Sequence, residues 1–177
     1  MSDSSFSDVD VPKYILTKPN ENLIDVVFSE AETVRTSKRL MRSSIVIIFF
    51  DRLQLDEAIS FAEKNNKAFV LLTKRGDIDA LNTAQKNNAF VLALADYVGG
   101  LEFDAAILGG VDSGRVPQNG FVNSVASKQF QNYLAHNKVY VAVTRARKVV
   151  RVIGEKSRGV SDVFAAAIEH KHIELQE

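Results

Sequence analysis

The sequence predicts an α/β fold, a mainly parallel sheet with helices on both faces, on three observations. Short apolar runs alternate with stretches of helical period along most of the chain. Two of these runs, Ser44 to Phe50 and Phe90 to Ala95, are apolar on successive residues, as expected of strands buried on both faces. The links between runs are short, which suits crossover connections between parallel strands.

Taken in order, residues 1–22 are rich in Ser, Asp, Pro and Asn and read as a loosely ordered leader, with only Tyr14 to Leu16 apolar. A single domain is expected over 23–177. Leu23 to Phe28 reads as a strand, and Ser29 with Glu32 three residues on reads as a capping box opening a helix to about Arg42. Ser44 to Phe50 is the expected sheet centre. Asp51 caps a helix carrying Leu55, Ile59 and Ala62, stopped by Asn65 and Asn66, and Ala68 to Leu72 is the next strand. Asp77 opens a helix with Ile78, Leu81 and Ala84, followed by the strand Phe90 to Ala95, and Ala105 to Gly109 is a fifth strand. Residues 110–123 form a long glycine-containing loop of the kind that is functional or disordered. A helix over about Ser124 to His136, a strand over Val149 to Ile153 and a last helix opened by Ser161 complete the pattern, and the residues around His170 and His172 read as a polar tail.

Composition narrows the function classes. The chain has 177 residues, 46% of them hydrophobic, enough for one proper core. Lys plus Arg equals Asp plus Glu at 22 each, so net charge points to no class of partner and only its distribution is informative. There is no cysteine, which removes disulfides, thiol catalysis and cysteine zinc sites. His136, His170 and His172 make no credible metal site without convergent carboxylates. No stretch approaches the ~20 apolar residues of a membrane span, and the polar start is unlike a signal peptide, so a soluble, cytoplasmic protein is expected.

Ligands of open parallel sheets sit beyond the carboxyl ends of strands. The loops of interest are therefore Asp51-Arg52, Thr73 to Asp77, Asp96 to Gly100 and Gly110 to Pro117. Gly99-Gly100 permits a tight turn or a close backbone approach, and Glu102 follows as a carboxylate fixed between Leu101 and Phe103. Between Lys138 and Arg158 there are seven basic residues and one acid, Glu155, in an otherwise neutral chain. That is a local anion-attracting region. Isolated, Arg145 and Arg147 would be ordinary cations at a helix C-terminus.

Two segments carry a family resemblance. Tyr140 to Arg147, Tyr-Val-Ala-Val-Thr-Arg-Ala-Arg, resembles the last motif of the UvrD-family (superfamily 1) DNA helicases. Read at helical spacing, it puts Val139, Val143 and Ala146 on one side and directs the two arginines elsewhere. Gly100-Leu101-Glu102-Phe103-Asp104 resembles the family's preceding motif, in the right order. The resemblance runs from about Ser44 to Ile153 and implies a RecA-like, P-loop NTPase-type sheet, the C-terminal of the two core domains. It implies that Arg145 is the catalytic cation reaching the γ-phosphate of ATP held with Mg²⁺ by the other domain, and that Glu102 and Gly100 lie near the nucleotide. Asp96 matches a polar position used by the family on DNA, and Gly99 stands where the family commonly has a lysine; Lys74 and Arg75 are the candidate substitutes for nucleic-acid contact.

The chain lacks what the other half of such an engine supplies. No glycine fits G-x-x-x-x-G-K-[ST]; in Gly154-Glu155-Lys156-Ser157 the lysine is one place late and position 149 is Val. The expected function is the second RecA-like domain of a UvrD-like ATP-dependent DNA helicase, silent alone, with an N-terminal helicase domain and single-stranded DNA as partners. The alternatives are a stand-alone, non-catalytic adaptor or nucleic-acid-binding module on the same fold, and an unrelated doubly wound enzyme.

Overall fold

The computed structural model describes residues 10–119 and 124–177; the start of the expected leader and Gly120 to Asn123 of the long loop lie outside the described residues. The strands are β1 (Lys13–Thr17), β2 (Ile45–Phe49), β3 (Phe69–Leu71), β4 (Phe90–Leu94), β5 (Phe103–Gly109), β6 (Ala146–Glu155) and β7 (Glu174–Gln176). They form one sheet in the order β3-β4-β2-β5-β6-β1-β7, with every strand pairing parallel. The helices are α1 (Leu23–Lys38), α2 (Arg52–Lys64), α3 (Ile78–Asn87), α4 (Val125–Val143) and α5 (Asp162–Glu169).

The apolar runs do what their composition requires. All five residues of β2 are fully buried, because Ile45, Ile47 and Phe49 face a core completed by α1 and α2, whereas Val46 and Ile48 face one completed by α3, α4 and α5. A strand covered on both faces has no polar alternation to show. Each such side chain contributes roughly 1.5–3 kcal/mol of burial, so the centre of the sheet is the most strongly determined part of the fold. Asp51 and Asp77 cap α2 and α3 as expected, accepting from Gln54 N at 2.8 Å and Ala80 N at 3.2 Å. No helix among the described residues is long and apolar enough to cross a membrane.

Five expectations are corrected. Leu23 to Phe28 is not a strand: Asn22 accepts from Ile24 N and Asp25 N, and one helix runs from Leu23 to Lys38. Leu23, Ile24, Val27, Phe28, Ala31 and Val34 are its buried face, so helical spacing wins over the β propensity of the first six residues. Ser29 lies inside that helix, and Glu32 pairs with Arg35 and Arg42 at 2.6 and 3.0 Å instead of reaching back to a cap. Residues 10–22 of the expected leader are structured: Tyr14 is fully buried in β1 with its ring edge-on to Phe164, and Asp10 meets the buried Arg151. The polar tail contains β7, paired to β1. Finally, α4 continues past His136 to Val143, and β6 begins at Ala146, so the arginine motif is a helix end and a strand start, not one helical segment.

Candidate functional site

Thr144 closes α4, its hydroxyl donating to Tyr140 O at 2.9 Å, and the chain turns through Arg145 directly into β6. The carbonyl of Arg145 accepts from Phe103 N at 2.8 Å, and Ala146 is the register partner of Phe103. Residues 102 and 145 are therefore brought side by side by the first rung of the β5–β6 ladder, at the amino edge of the sheet. This is the opposite edge from the strand ends at which a ligand was expected. The β4–β5 connection carries no α-helix and crosses from one edge to the other, leaving Asp96 near the end of β4 and Glu102 at the start of β5.

The Arg145 guanidinium folds over the last turn of α4. Its Nε donates to Val141 O at 3.1 Å, Nη1 to Leu101 O at 3.2 Å and Nη2 to Thr144 Oγ1 at 3.2 Å. The acceptor Val141 O is one of the carbonyls that a helix end leaves without an intrahelical partner. These bonds occupy three of the five N–H donors of a guanidinium. Among the described residues no carboxylate pairs with it, so its charge is oriented without being neutralised.

Glu102 has a different partner. Its Oε2 accepts from Nε and Nη2 of Arg147, each at 3.1 Å, and both side chains are more than half exposed. Arg147 is thus the residue that holds Glu102. An exposed pair of this type is worth about 0–1 kcal/mol and exchanges readily. A cleft of about 690 Å³ opens beside it, lined by Arg39, Met41, Ser44, Glu102, Arg147 and Lys148 among others.

The two glycines separate their roles. Gly100 has φ +81 in the turn closed by Leu101 N donating to Val98 O at 3.2 Å, and a Cβ there would meet nothing within 4 Å. Its requirement is conformational. At Gly99 a Cβ would lie 2.8 Å from Arg75 Nη2, so the close approach there is that of an arginine from the β3–α3 loop. That loop is stiffened by Asp77, which accepts from Thr73 N and Thr73 Oγ1 at 3.1 Å; the bond from the Thr73 amide is the main cause that holds its carboxyl below the usual range. Lys74 and Arg75 stand exposed on it. Asp96, the third residue expected near nucleic acid, pairs with Lys138 of α4 at 3.1 Å. The structure thus brings Gly100, Glu102 and Arg145 to one stretch beside the start of β6, while Lys74 and Arg75 lie on the β3–α3 loop, with Arg75 against Gly99, and Asp96 lies against α4.

A set of residues that the sequence does not announce fixes the loop after β5. Asp112 is fully buried, its Oδ2 accepting from Arg115 Nη1 and from Glu155 N, each at 2.8 Å, and burial pushes its carboxyl above the ordinary value. The Tyr14 hydroxyl donates to Val111 O and accepts from Ser161 N at 3.1 Å; burial pushes it up to about 12. Gly154 lies against this loop, since a Cβ would come 2.5 Å from Val111 O. Its requirement is close packing of β6 on that loop. Among the described residues no group of three or more His, Asp or Glu could hold a metal ion.

No known protein family matches the sequence, and no curated protein matches it. Solved structures do. The C-terminal domain of a possible DNA helicase from Lactobacillus plantarum WCFS1 is similar with a TM-score of 0.67 and 16% identity, over 95% of this chain and 86% of that one. S. tokodaii Xpd4 gives a TM-score of 0.53 at 10% identity over 98% of this chain, and an XPD helicase 0.56 at 10% over 93%. This chain spans only 39% and 35% of those two longer proteins. At such identities the likeness is one of fold, and the chain has the RecA-like α/β architecture seen in the C-terminal domain of the L. plantarum protein.

Proposed function

We propose that the chain is the second RecA-like domain of a UvrD-like, ATP-dependent DNA helicase, completing a cleft whose first domain holds ATP and Mg²⁺. The observation that carries this reading is Arg145: a cation set in the α4–β6 turn, oriented by three hydrogen bonds, with no carboxylate partner among the described residues and N–H donors to spare. A planar guanidinium meets two phosphate oxygens at once. Charge on the transferring phosphoryl oxygens is what an arginine of this kind stabilises, with an effect on rate of roughly 10³ to 10⁵ in related nucleotide hydrolases. Glu102 exchanges Arg147 for the hydroxyls of the nucleotide sugar, and Gly100 shapes the turn that presents it. Lys74 and Arg75, with Asp96 beside α4, form part of the single-strand track. The chain's own residues fit one side of a nucleotide only, since it has no loop of backbone amides to surround phosphates.

The test is ATP turnover. The isolated chain is expected to hydrolyse no ATP above background, with or without single-stranded DNA, and turnover is expected to appear when it is joined to a phosphate-loop domain. Robust, DNA-stimulated turnover by the isolated chain would overturn this reading. A second reading, a non-catalytic adaptor module, draws on the internal satisfaction of the same residues: Glu102 by Arg147, and Arg145 by Val141, Leu101 and Thr144. It predicts that no joined domain restores turnover.

A further inference from the structure

The loop that follows β5 is tied down more firmly than a connection requires. Val111 N donates to Ile153 O at 3.1 Å, the Tyr14 hydroxyl donates to Val111 O, Val116 N donates to Asp112 O at 3.1 Å, and the Ser161 hydroxyl donates to Val116 O. Within the loop the buried Asp112 grips Arg115, whose Nη1 donates to Asp112 Oδ2 at 2.8 Å and whose Nη2 donates to Glu155 Oε1 at 3.3 Å. A buried carboxylate is costly unless it is paired, and this one holds an arginine in place. Side chains are fixed from behind in this way where their geometry toward a ligand matters.

Arg115 and Val116 are held against a cavity. Strands β2 and β5 are neighbours, but the chain leaves β2 for α2 on one face and β5 for α4 on the other. That divergence opens a crevice beyond the carboxyl ends of the two strands, where parallel sheets bind ligands. Here it is a cavity of about 190 Å³ walled by Phe50, Val116, Pro117 and Leu134, with Arg115 and Lys138 also in its lining. It lies at the opposite edge of the sheet from Arg145 and Glu102. An engineered apolar cavity of about 150 Å³ accepts benzene, so this one has room for a six-membered ring and one small group. The base, sugar and phosphate of a nucleotide together exceed it.

The charge of the lining identifies that group. Among the described residues the lining holds two cations and no acid. Arg115 uses two of its five N–H donors on Asp112 and Glu155, which leaves others for a carboxylate. Lys138 already holds one carboxylate, that of Asp96 at 3.1 Å, in a half-exposed pair of the kind that exchanges readily.

We propose that this cavity is a site for an aryl carboxylate, one aromatic ring bearing one carboxylate, with the ring against Phe50, Pro117 and Leu134 and the carboxylate on Arg115 and Lys138 in place of Asp96. Such a site is independent of the helicase-type reading, and its test needs neither ATP nor a second domain.

The isolated, isotope-labelled chain is titrated with benzoate and followed by its amide chemical shifts. Acetate, benzyl alcohol and adenosine monophosphate serve as comparison probes, and thermal melting is run on every variant. Benzoate is expected to bind with a Kd of about 1 mM or tighter, the level that a ligand of this size reaches, and about ten-fold more tightly than any of the other three. The shifts are expected at Val116 and Leu134 and not at Arg145. Leu134→Trp fills the cavity from a position that is 43% exposed, and should weaken benzoate about ten-fold. Lys138→Met should weaken benzoate about five-fold and leave benzyl alcohol unchanged, as for one lost ion pair. Asp96→Asn should tighten benzoate about two-fold by removing the competitor for Lys138, a gain that no folding defect produces. Should Leu134→Trp not fold, the other two variants, both at half-exposed positions, decide. The proposal is overturned by the absence of benzoate-dependent shifts at about 20 mM, by shifts confined to other surfaces, or by acetate, benzyl alcohol or the nucleotide binding as tightly as benzoate. Unchanged affinity in a folded Leu134→Trp or in Lys138→Met, or weaker binding in Asp96→Asn, would overturn it as well.

Discussion

Arg151 is the one buried cation of the sheet among the described residues, and its surroundings explain how the entry to β1 is held. It lies on β6 at 4% exposure, with Asp10 on Nη1 and Nη2 and Glu30 Oε1 at 3.2 Å from Nε; Lys38 closes the group by pairing with Asp10 at 3.0 Å. Two acids and two bases neutralise one another and tie the entry to β1 against α1 and the sheet. Removing one member strands the others, so Arg151→Met is expected to lower stability by about 3–5 kcal/mol in urea unfolding. The hydrogen bond from Arg151 is the main cause that holds the Asp10 carboxyl below its ordinary value of 3.8. The folded state therefore favours the charged form. Its contribution is present above pH about 4 and is lost as pH falls through the depressed folded value. In Arg151→Met the acid limb of the stability profile should flatten; an unchanged limb would show that Asp10 is not held this way. None of this was legible beforehand, because a lone Asp in a polar leader looks the same whether or not its partner is 141 residues away.

At the scale of elements, legibility followed the locality of the signal. The caps Asp51 and Asp77 and the runs that become β2 and β4 are local features, and the structure has them where the sequence put them. The start of α1 fails for a reason that can be measured. Leu23 to Phe28 has β-forming composition, and the Asn22 cap together with packing of α1 on β5, β6 and β2 decides for the helix. Asn22→Ala is expected to cost about 1 kcal/mol, the usual loss of an N-cap, while Ser29→Ala should stay within about 0.5 kcal/mol. Equal losses, or a larger one at Ser29, would restore the capping box. Strands β1 and β7 were missed because their partners, β6 and each other, are remote in sequence or short. In the site, the order of the two motifs was legible, but the pairing of Glu102 with Arg147 was not, since it depends on the register by which β6 starts beside β5.

For the whole molecule, the parallel sheet sets two working edges. The amino edge carries Glu102, Arg145 and Arg147 at the starts of β5 and β6, and the carboxyl side carries the loops with Lys74 and Arg75 and a cavity of about 190 Å³ lined by Phe50, Pro117 and Leu134. Zero net charge means that any anion is met by local groups and not by the field of the whole protein. In the proposed function Arg145 acts across a cleft on a phosphate held by another domain. The measurement that tests this most directly is single-stranded-DNA-stimulated ATP turnover by a protein joining this domain to a phosphate-loop domain, comparing wild type, Arg145→Ala and Arg145→Lys, with thermal melting alongside. Both substitutions should reduce turnover by roughly 10³-fold or more, since lysine cannot reproduce the planar two-point contact, and both should melt close to wild type. Near-normal turnover in Arg145→Ala, or a collapse of its melting temperature, would contradict the account, the second outcome by making the three bonds to Val141, Leu101 and Thr144 the whole purpose of the residue.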